Sequence, residues 1–193
     1  MERQATEGTP DPAGASPRER VRPILRVRQI REFEPELPTD DEIDAIADAA
    51  RWSGSASNEQ PWRFVVIRDR ATLDALHEAG LPQTRALATA PAAIAIVLPV
   101  DERTISRAYD DGRAAERILV AANLVGLAGG ISWIRSAVGP TVGELLGLPA
   151  DRFVRTIVAI GQPTEAAQRP KSPAGQGRLP RSEVVFEERW PDR

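Results

Sequence analysis

The sequence predicts an α/β (α+β) sandwich with a central sheet flanked by helices, and three observations carry that expectation. Four short apolar runs, Phe64–Ile67, Ala92–Leu98, Ile131–Ile134 and Phe153–Ile160, have the length and composition of strands. Amphipathic helical stripes interleave with them along the chain. With 193 residues and 41% hydrophobic side chains, the chain can bury one core and fits one domain.

Residues 1–20 are rich in Pro, Gly, Ser, Thr and charge, cannot repay the entropy of ordering, and are expected to form a disordered arm ahead of a single domain over 21–193. Arg22–Phe33 reads as a short amphipathic helix leading into a loop. Thr39 and Glu42 have the spacing of a capping box, and Ile43, Ile46, Ala47 and Ala50 follow at helical spacing. Asp69 opens a second helix carrying Leu73, Leu76 and His77, ended by Gly80. The longest helix is expected to start near Tyr109 or Asp110. It is apolar almost all round from Ala114 to Val125, as a helix buried in a large core or against a second subunit would be. Asp110, Asp111 and Glu116 read as solvated acids favourable to its dipole. Gly129 and Gly130 are expected to precede the third strand, and Pro140 to open a helix carrying Val142, Leu145 and Leu146. The stretch from Gly161 to Arg181 reads as loop, and Glu183–Trp190 as an edge or tail strand.

Composition excludes several chemistries. The absence of cysteine rules out disulfides, thiol nucleophiles and iron–sulfur clusters, and the single histidine, His77, lies on an apolar helix face and reads as structural. Hard chemistry is left to an organic cofactor. A net charge of −3 argues against general nucleic-acid binding, no apolar run of about 20 residues is available to span a membrane, and the N-terminus is charged where a signal peptide is apolar, so a cytoplasmic location is expected.

The segment Gly54-Ser55-Ala56-Ser57-Asn58-Glu59-Gln60-Pro61-Trp62 runs into the first strand. Its small residues leave main-chain groups uncovered, and Asn58 and Gln60 can each donate and accept at the edge of a flat polar ligand. This loop resembles the signature of the nitroreductase-like FMN-dependent oxidoreductases, and further segments from Arg26 to Trp190 resemble that family in the expected order. The resemblance implies a mostly antiparallel or mixed central sheet, an obligate homodimer, FMN at the subunit interface and NADH or NADPH as electron donor. It implies that Arg28 and Arg31, in Arg28-Gln29-Ile30-Arg31-Glu32-Phe33, hold the FMN phosphate together with Arg178, with Arg181 and Lys171 as alternatives to the last. Guanidinium groups suit that task because they make paired, charge-assisted hydrogen bonds to phosphate oxygens. Gln29 stands where a hydroxyl residue is usual, and Val27 where a further basic residue is usual.

By the same resemblance Ser55, Ala56, Ser57 and Asn58 reach across the dimer to the partner's flavin, with Gln60 supporting them. Arg85 lies near the flavin N1/O2 edge. Main-chain groups of Ile131, Ser132 and Trp133 meet the N5 edge, while the Trp133 ring either stacks near the flavin or fills the core. The segment Val100–Ala108 is shorter than the helical insertion the resemblance implies, which leaves the pocket open or covered by the arm or by Arg169–Gln176. The implied activity is hydride transfer from a nicotinamide cofactor through flavin N5 to a small acceptor: a nitro compound, a quinone, a flavin or another metabolite. A flavin-fragmenting, dehalogenating or specialised dehydrogenase of the same fold, or a non-catalytic flavin-binding protein, are the alternatives. No residue of the chain is assigned a catalytic proton, and no metal site is expected.

Overall fold

The four apolar runs form one sheet in the order β1-β2-β4-β3, where β1 is Arg63–Ile67, β2 Ala92–Pro99, β3 Ala128–Trp133 and β4 Arg152–Gly161. All three strand pairings are antiparallel, so the sheet is not mixed. The structure, a computed structural model, describes residues 14–169 and 177–190. In chain order its helices are α1 (Pro17–Arg20), α2 (Arg22–Arg26), α3 (Asp40–Arg51), α4 (Arg70–Gly80), α5 (Thr104–Leu124), α6 (Gly139–Leu145), α7 (Glu165–Gln168) and α8 (Arg181–Val184). None of the described helices is long and apolar enough to cross a membrane.

Side-chain alternation along β2 divides the core. Ala93, Ala95 and Val97 face one layer with Leu73 and Leu76 of α4 and Val142 of α6, while Ile94, Ile96 and Leu98 face the other with Ile43 and Ile46 of α3 and Ile118 of α5. The capping box at the start of α3 forms as its spacing predicts: Thr39 Oγ1 accepts from the Glu42 N–H, and Glu42 accepts from the Thr39 N–H. His77 is structural, its Nδ1 3.3 Å from the Thr84 carbonyl while Thr84 Oγ1 donates to the His77 carbonyl.

Five expectations are corrected, the first being the loop from Gly161 to Arg181, which holds the helical turn Glu165–Gln168 because Thr164 caps it by accepting from the Ala167 N–H. Helix α5 begins at Thr104, about one turn and a half before Tyr109, with Arg103 at its N-cap held by Glu59 and Arg107 in its first turn held by Asp101. Gly129 and Gly130 lie inside β3, not ahead of it. A Cβ on Gly130 would stand 1.9 Å from the Ile30 carbonyl oxygen and one on Gly129 2.6 Å from Leu119 Cδ2, so the strand needs both glycines to pass between its neighbours. The tail strand is absent: Arg181–Val184 is a helical turn opened by Pro180, and Val184 and Val185 are exposed. Strand-forming side chains need a sheet edge to pair with, and the Phe186 and Trp190 rings instead pack on each other at 4.8 Å. Within the expected arm, Ser16 caps the turn Pro17–Arg20 through a capping box with Glu19, and residues 1–13 lie outside the described residues.

Replacing Gly130 by alanine is expected to lower unfolding free energy by about 3 kcal/mol through overpacking. Thr39→Ala should cost about 1 kcal/mol through the lost cap. Denaturant titration of the two variants checks both values, and an undiminished midpoint for Gly130→Ala would remove the close approach as a constraint.

Candidate functional site

Seven of the residues singled out in the sequence gather along the outer edge of β3. The Ile30 N–H donates to the Gly129 carbonyl at 2.8 Å, and Gln29 makes a parallel bridge to Gly129, so the Arg28–Arg31 segment lies against this edge. The turn Arg85–Ala88 comes to the same place, with Ala86 Cβ 3.4 Å from where a Gly130 side chain would begin. Arg28 donates to the Gln168 carbonyl at 2.8 Å, which leaves most of its guanidinium donors uncommitted. Arg31 and Arg85 make no hydrogen bond or ion pair among the described residues. Unpaired guanidinium groups at one strand edge are suited to an anionic ligand.

The edge also sorts the main-chain groups of β3. In an antiparallel ladder successive residues point their N–H and C=O to opposite sides. Ile134 donates to Arg155 of β4 and Gly129 accepts from Ile30, so the polar groups of Ile131 and Trp133 face outward and those of Ser132 face β4. Ser132 Oγ is buried and has no hydrogen-bond partner among the described residues. Trp133 is 51% exposed and does not fill the core. It borders a cavity of about 640 Å³ between the start of β4 and α6, lined also by Arg135, Glu144, Arg152, Phe153 and Arg155. That is the size of a small-molecule site. Arg178 is exposed and makes no hydrogen bond or ion pair among the described residues, and Lys171 lies outside them.

The loop residues are elsewhere. Ser55, Ala56, Ser57, Asn58 and Gln60 enter β1, the sheet edge opposite β3, three strand spacings or roughly 14 Å across. Ser57, Asn58 and Gln60 have φ of 50°, 54° and 51°, left-handed values that are uncommon for residues other than glycine. The Gln60 N–H donates to Ser55 Oγ at 2.9 Å and its side-chain amide to Asn58 Oδ1 at 3.3 Å. The Ala56 N–H donates to Asp110 Oδ1 at 3.3 Å.

Asp110 and Asp111 are not solvated acids but are almost wholly buried, because the early start of α5 carries them over the sheet. Thr156 Oγ1 donates to Asp111 Oδ2 at 2.7 Å, and Asp111 Oδ1 is buried without a hydrogen-bond partner among the described residues. Burial pushes the Asp111 carboxyl up to about 6, against the opposing effects of the Thr156 hydrogen bond and the Arg155 charge. Arg155 is the extra residue of a bulge, since Ile96 pairs with Thr156 and Val97 with Val154, and its guanidinium lies 5.8 Å from the Phe153 ring centre. Among the described residues no group of three or more His, Cys, Asp or Glu could hold a metal ion.

Residues 24–97 match the family model described as the nitroreductase family. Over 151 residues, 74% of this chain and 84% of the other, the chain is 34% identical to a protein of Archaeoglobus fulgidus provisionally named NADH dehydrogenase/NAD(P)H nitroreductase. The chain belongs to the nitroreductase family. Its fold is similar to that of an FMN-dependent nitroreductase from Clostridium difficile, with a TM-score of 0.74, 23% identity and coverage of 85% of this chain and 96% of that one. It is similar also to the NADPH:FMN oxidoreductase from Vibrio harveyi, with a TM-score of 0.75, 24% identity and coverage of 90% and 78%. In this nitroreductase-family chain the buried pair Asp110–Asp111, Arg107 and Arg155 were invisible to sequence patterning. A helix start placed one turn and a half too late makes the carboxylates look like exposed first-turn acids.

The raised Asp111 carboxyl fixes the sign of a pH effect. The folded protein holds this proton more tightly than the unfolded chain, whose carboxyl titrates near 3.8. The unfavourable contribution is therefore absent below pH 3.8, grows up to about pH 6 and stays above it, amounting to about 3 kcal/mol. Asp111→Asn should leave stability near pH 4 little changed and raise it at pH 8. Unfolding midpoints of variant and wild type across that range check this, and a difference independent of pH would contradict it.

Proposed function

We propose that the chain is an FMN-dependent NAD(P)H oxidoreductase that reduces a small acceptor, working in the cytoplasm as a homodimer. The observation that carries this reading is the β3 edge, where the segments carrying Arg31 and Arg85, whose side chains make no hydrogen bond or ion pair among the described residues, meet a strand whose N–H and C=O groups at Ile131 and Trp133 face away from β4. That donor set fits a ligand that is anionic at one end and a flat hydrogen-bonding ring at the other, as FMN is. When bound, FMN supplies hydride chemistry between a nicotinamide cofactor and an acceptor.

The chain's own residues bind and orient. Arg28 and Arg31, with Arg178, hold the phosphate, and Arg28 is itself fixed through its bond to the Gln168 carbonyl. Arg85 places a positive charge at the pyrimidine edge, where it favours negative charge on the ring. Outward main-chain groups of Ile131 and Trp133 orient the N5 side. Ser55, Ala56, Ser57, Asn58 and Gln60 lead into β1, the strand at the far edge of the sheet from β3, and in this reading each loop serves the partner's site in a two-copy assembly. A nitro compound, a quinone or a free flavin is an acceptor of suitable chemistry. NADH and NADPH are both consistent donors.

An absorbance spectrum of the purified protein between 300 and 550 nm, taken before and after anaerobic NADH and then NADPH, is the direct test. Flavin bands that bleach are expected. Bands that persist would turn the reading to a flavin-binding protein without turnover, and a protein that takes up no FMN would sink it. Arg31→Ala is expected to weaken FMN binding about 10- to 100-fold, the range for losing a charge-assisted hydrogen bond. Fluorescence titration with FMN measures that, and unchanged affinity would remove Arg31 from the phosphate site.

A further inference from the structure

We propose that Arg107 is a positioning residue that sets the conformation of the Ser55–Gln60 loop from within α5. The inference rests on the reading of that loop as part of a flavin site and adds what holds it in shape. Residues Ala56 to Gln60 are exposed, and three of them are left-handed without being glycine, a conformation that persists only when the surroundings over-determine it. The bonds within the loop, from Gln60 to Ser55 and to Asn58, are local and do not tie it to the body. Arg63 Nη1, at the start of β1, donates to the Gln60 carbonyl at 3.1 Å and holds the loop's end, and two attachments to α5 hold its middle.

Both converge on Arg107. Its side chain is 7% exposed. One terminal nitrogen donates to Glu59 Oε2 at 3.0 Å, inside the loop, while Nε and the other terminal nitrogen donate to Asp101 Oδ2 at 2.9 and 2.6 Å. The nitrogen that reaches Glu59 also stands 3.7 Å from Asp110 Oδ2, and Asp110 Oδ1 is the acceptor for the Ala56 N–H. Asp110 is 1% exposed, and its Oδ2 has no hydrogen-bond partner among the described residues, so the Arg107 guanidinium is the opposite charge that the fold sets beside this buried carboxylate at the loop's first anchor. Arg103 meets the other Glu59 oxygen from the N-cap of α5 but is largely exposed, which makes it a lesser tether. A single buried guanidinium thus grips the loop directly at Glu59 and indirectly at Ala56. Asp101, in the short β2–α5 connection, grips the guanidinium.

Without Arg107 the loop keeps its sequence but loses the reason for its left-handed turns. FMN titrations of wild type, Arg107→Met, Asn58→Ala and the double variant test this, together with amide exchange of the flavin-free proteins. Each single change is expected to weaken FMN binding roughly 10-fold or more, and the double variant to be little weaker than the worse single one, because Arg107 acts through the loop. Losses that multiply in the double variant would overturn the proposal. Amide exchange at Ala56 and Gln60 should speed up in Arg107→Met while β2 stays protected, and Arg107→Lys should fall between, since an ammonium cannot span Glu59 and Asp101 as a guanidinium does. If Arg107→Met does not fold, Arg107→Lys carries the exchange test. Unchanged loop exchange in the folded variant would also overturn the proposal. Wild type that binds no FMN would instead sink the oxidoreductase reading, and the exchange data would still decide whether Arg107 holds the loop.

Discussion

Everything at the candidate site depends on one close passage: the segment around Ile30 lies on the edge of β3 at a distance that leaves no room for a Cβ at Gly130. Ile30 is 7% exposed and bonded through its N–H to Gly129, which fixes the height of Arg28 and Arg31 against the strand. Two basic residues that would otherwise be a solvated face are thereby brought beside the main chain of Ile131 and Trp133. The same approach keeps Ala86, and with it Arg85, near the edge.

The sheet carries its two faces differently. Ala93 and Ala95 of β2 meet the α4 and α6 layer with small side chains, while Ile94, Ile96 and Leu98 meet α3 and α5 with large ones. Bulky side chains toward α5 build a firm seat for that helix, and on it rest both Asp110, which anchors the loop, and Leu119, which packs at Gly129. Loop and strand edge are thus both tied to one helix.

Much of this architecture was legible in the residues. The four apolar runs, the Thr39–Glu42 cap and the structural role of His77 follow from local chemistry that needs no partner to read. The glycine pair reads as a boundary because a glycine in a strand and a glycine before one look alike until the neighbour that crowds it is known. Val184, Val185 and Phe186 have strand propensity, yet propensity does not supply an edge. The loop's motif announced a ligand, whereas its support did not. Arg107 and Asp110 belong to a cluster whose other members, Glu59 and Asp101, are separated from them in sequence, and no spacing rule joins them.

Helix α5 is 21 residues long and works as a rod with two fixed attachments, at Asp110 and at Leu119. These lie nine residues apart, about 13 Å along the axis and two and a half turns around it. One residue added or removed between them would turn one attachment by about 100° relative to the other. The helix is therefore held in phase as well as in length.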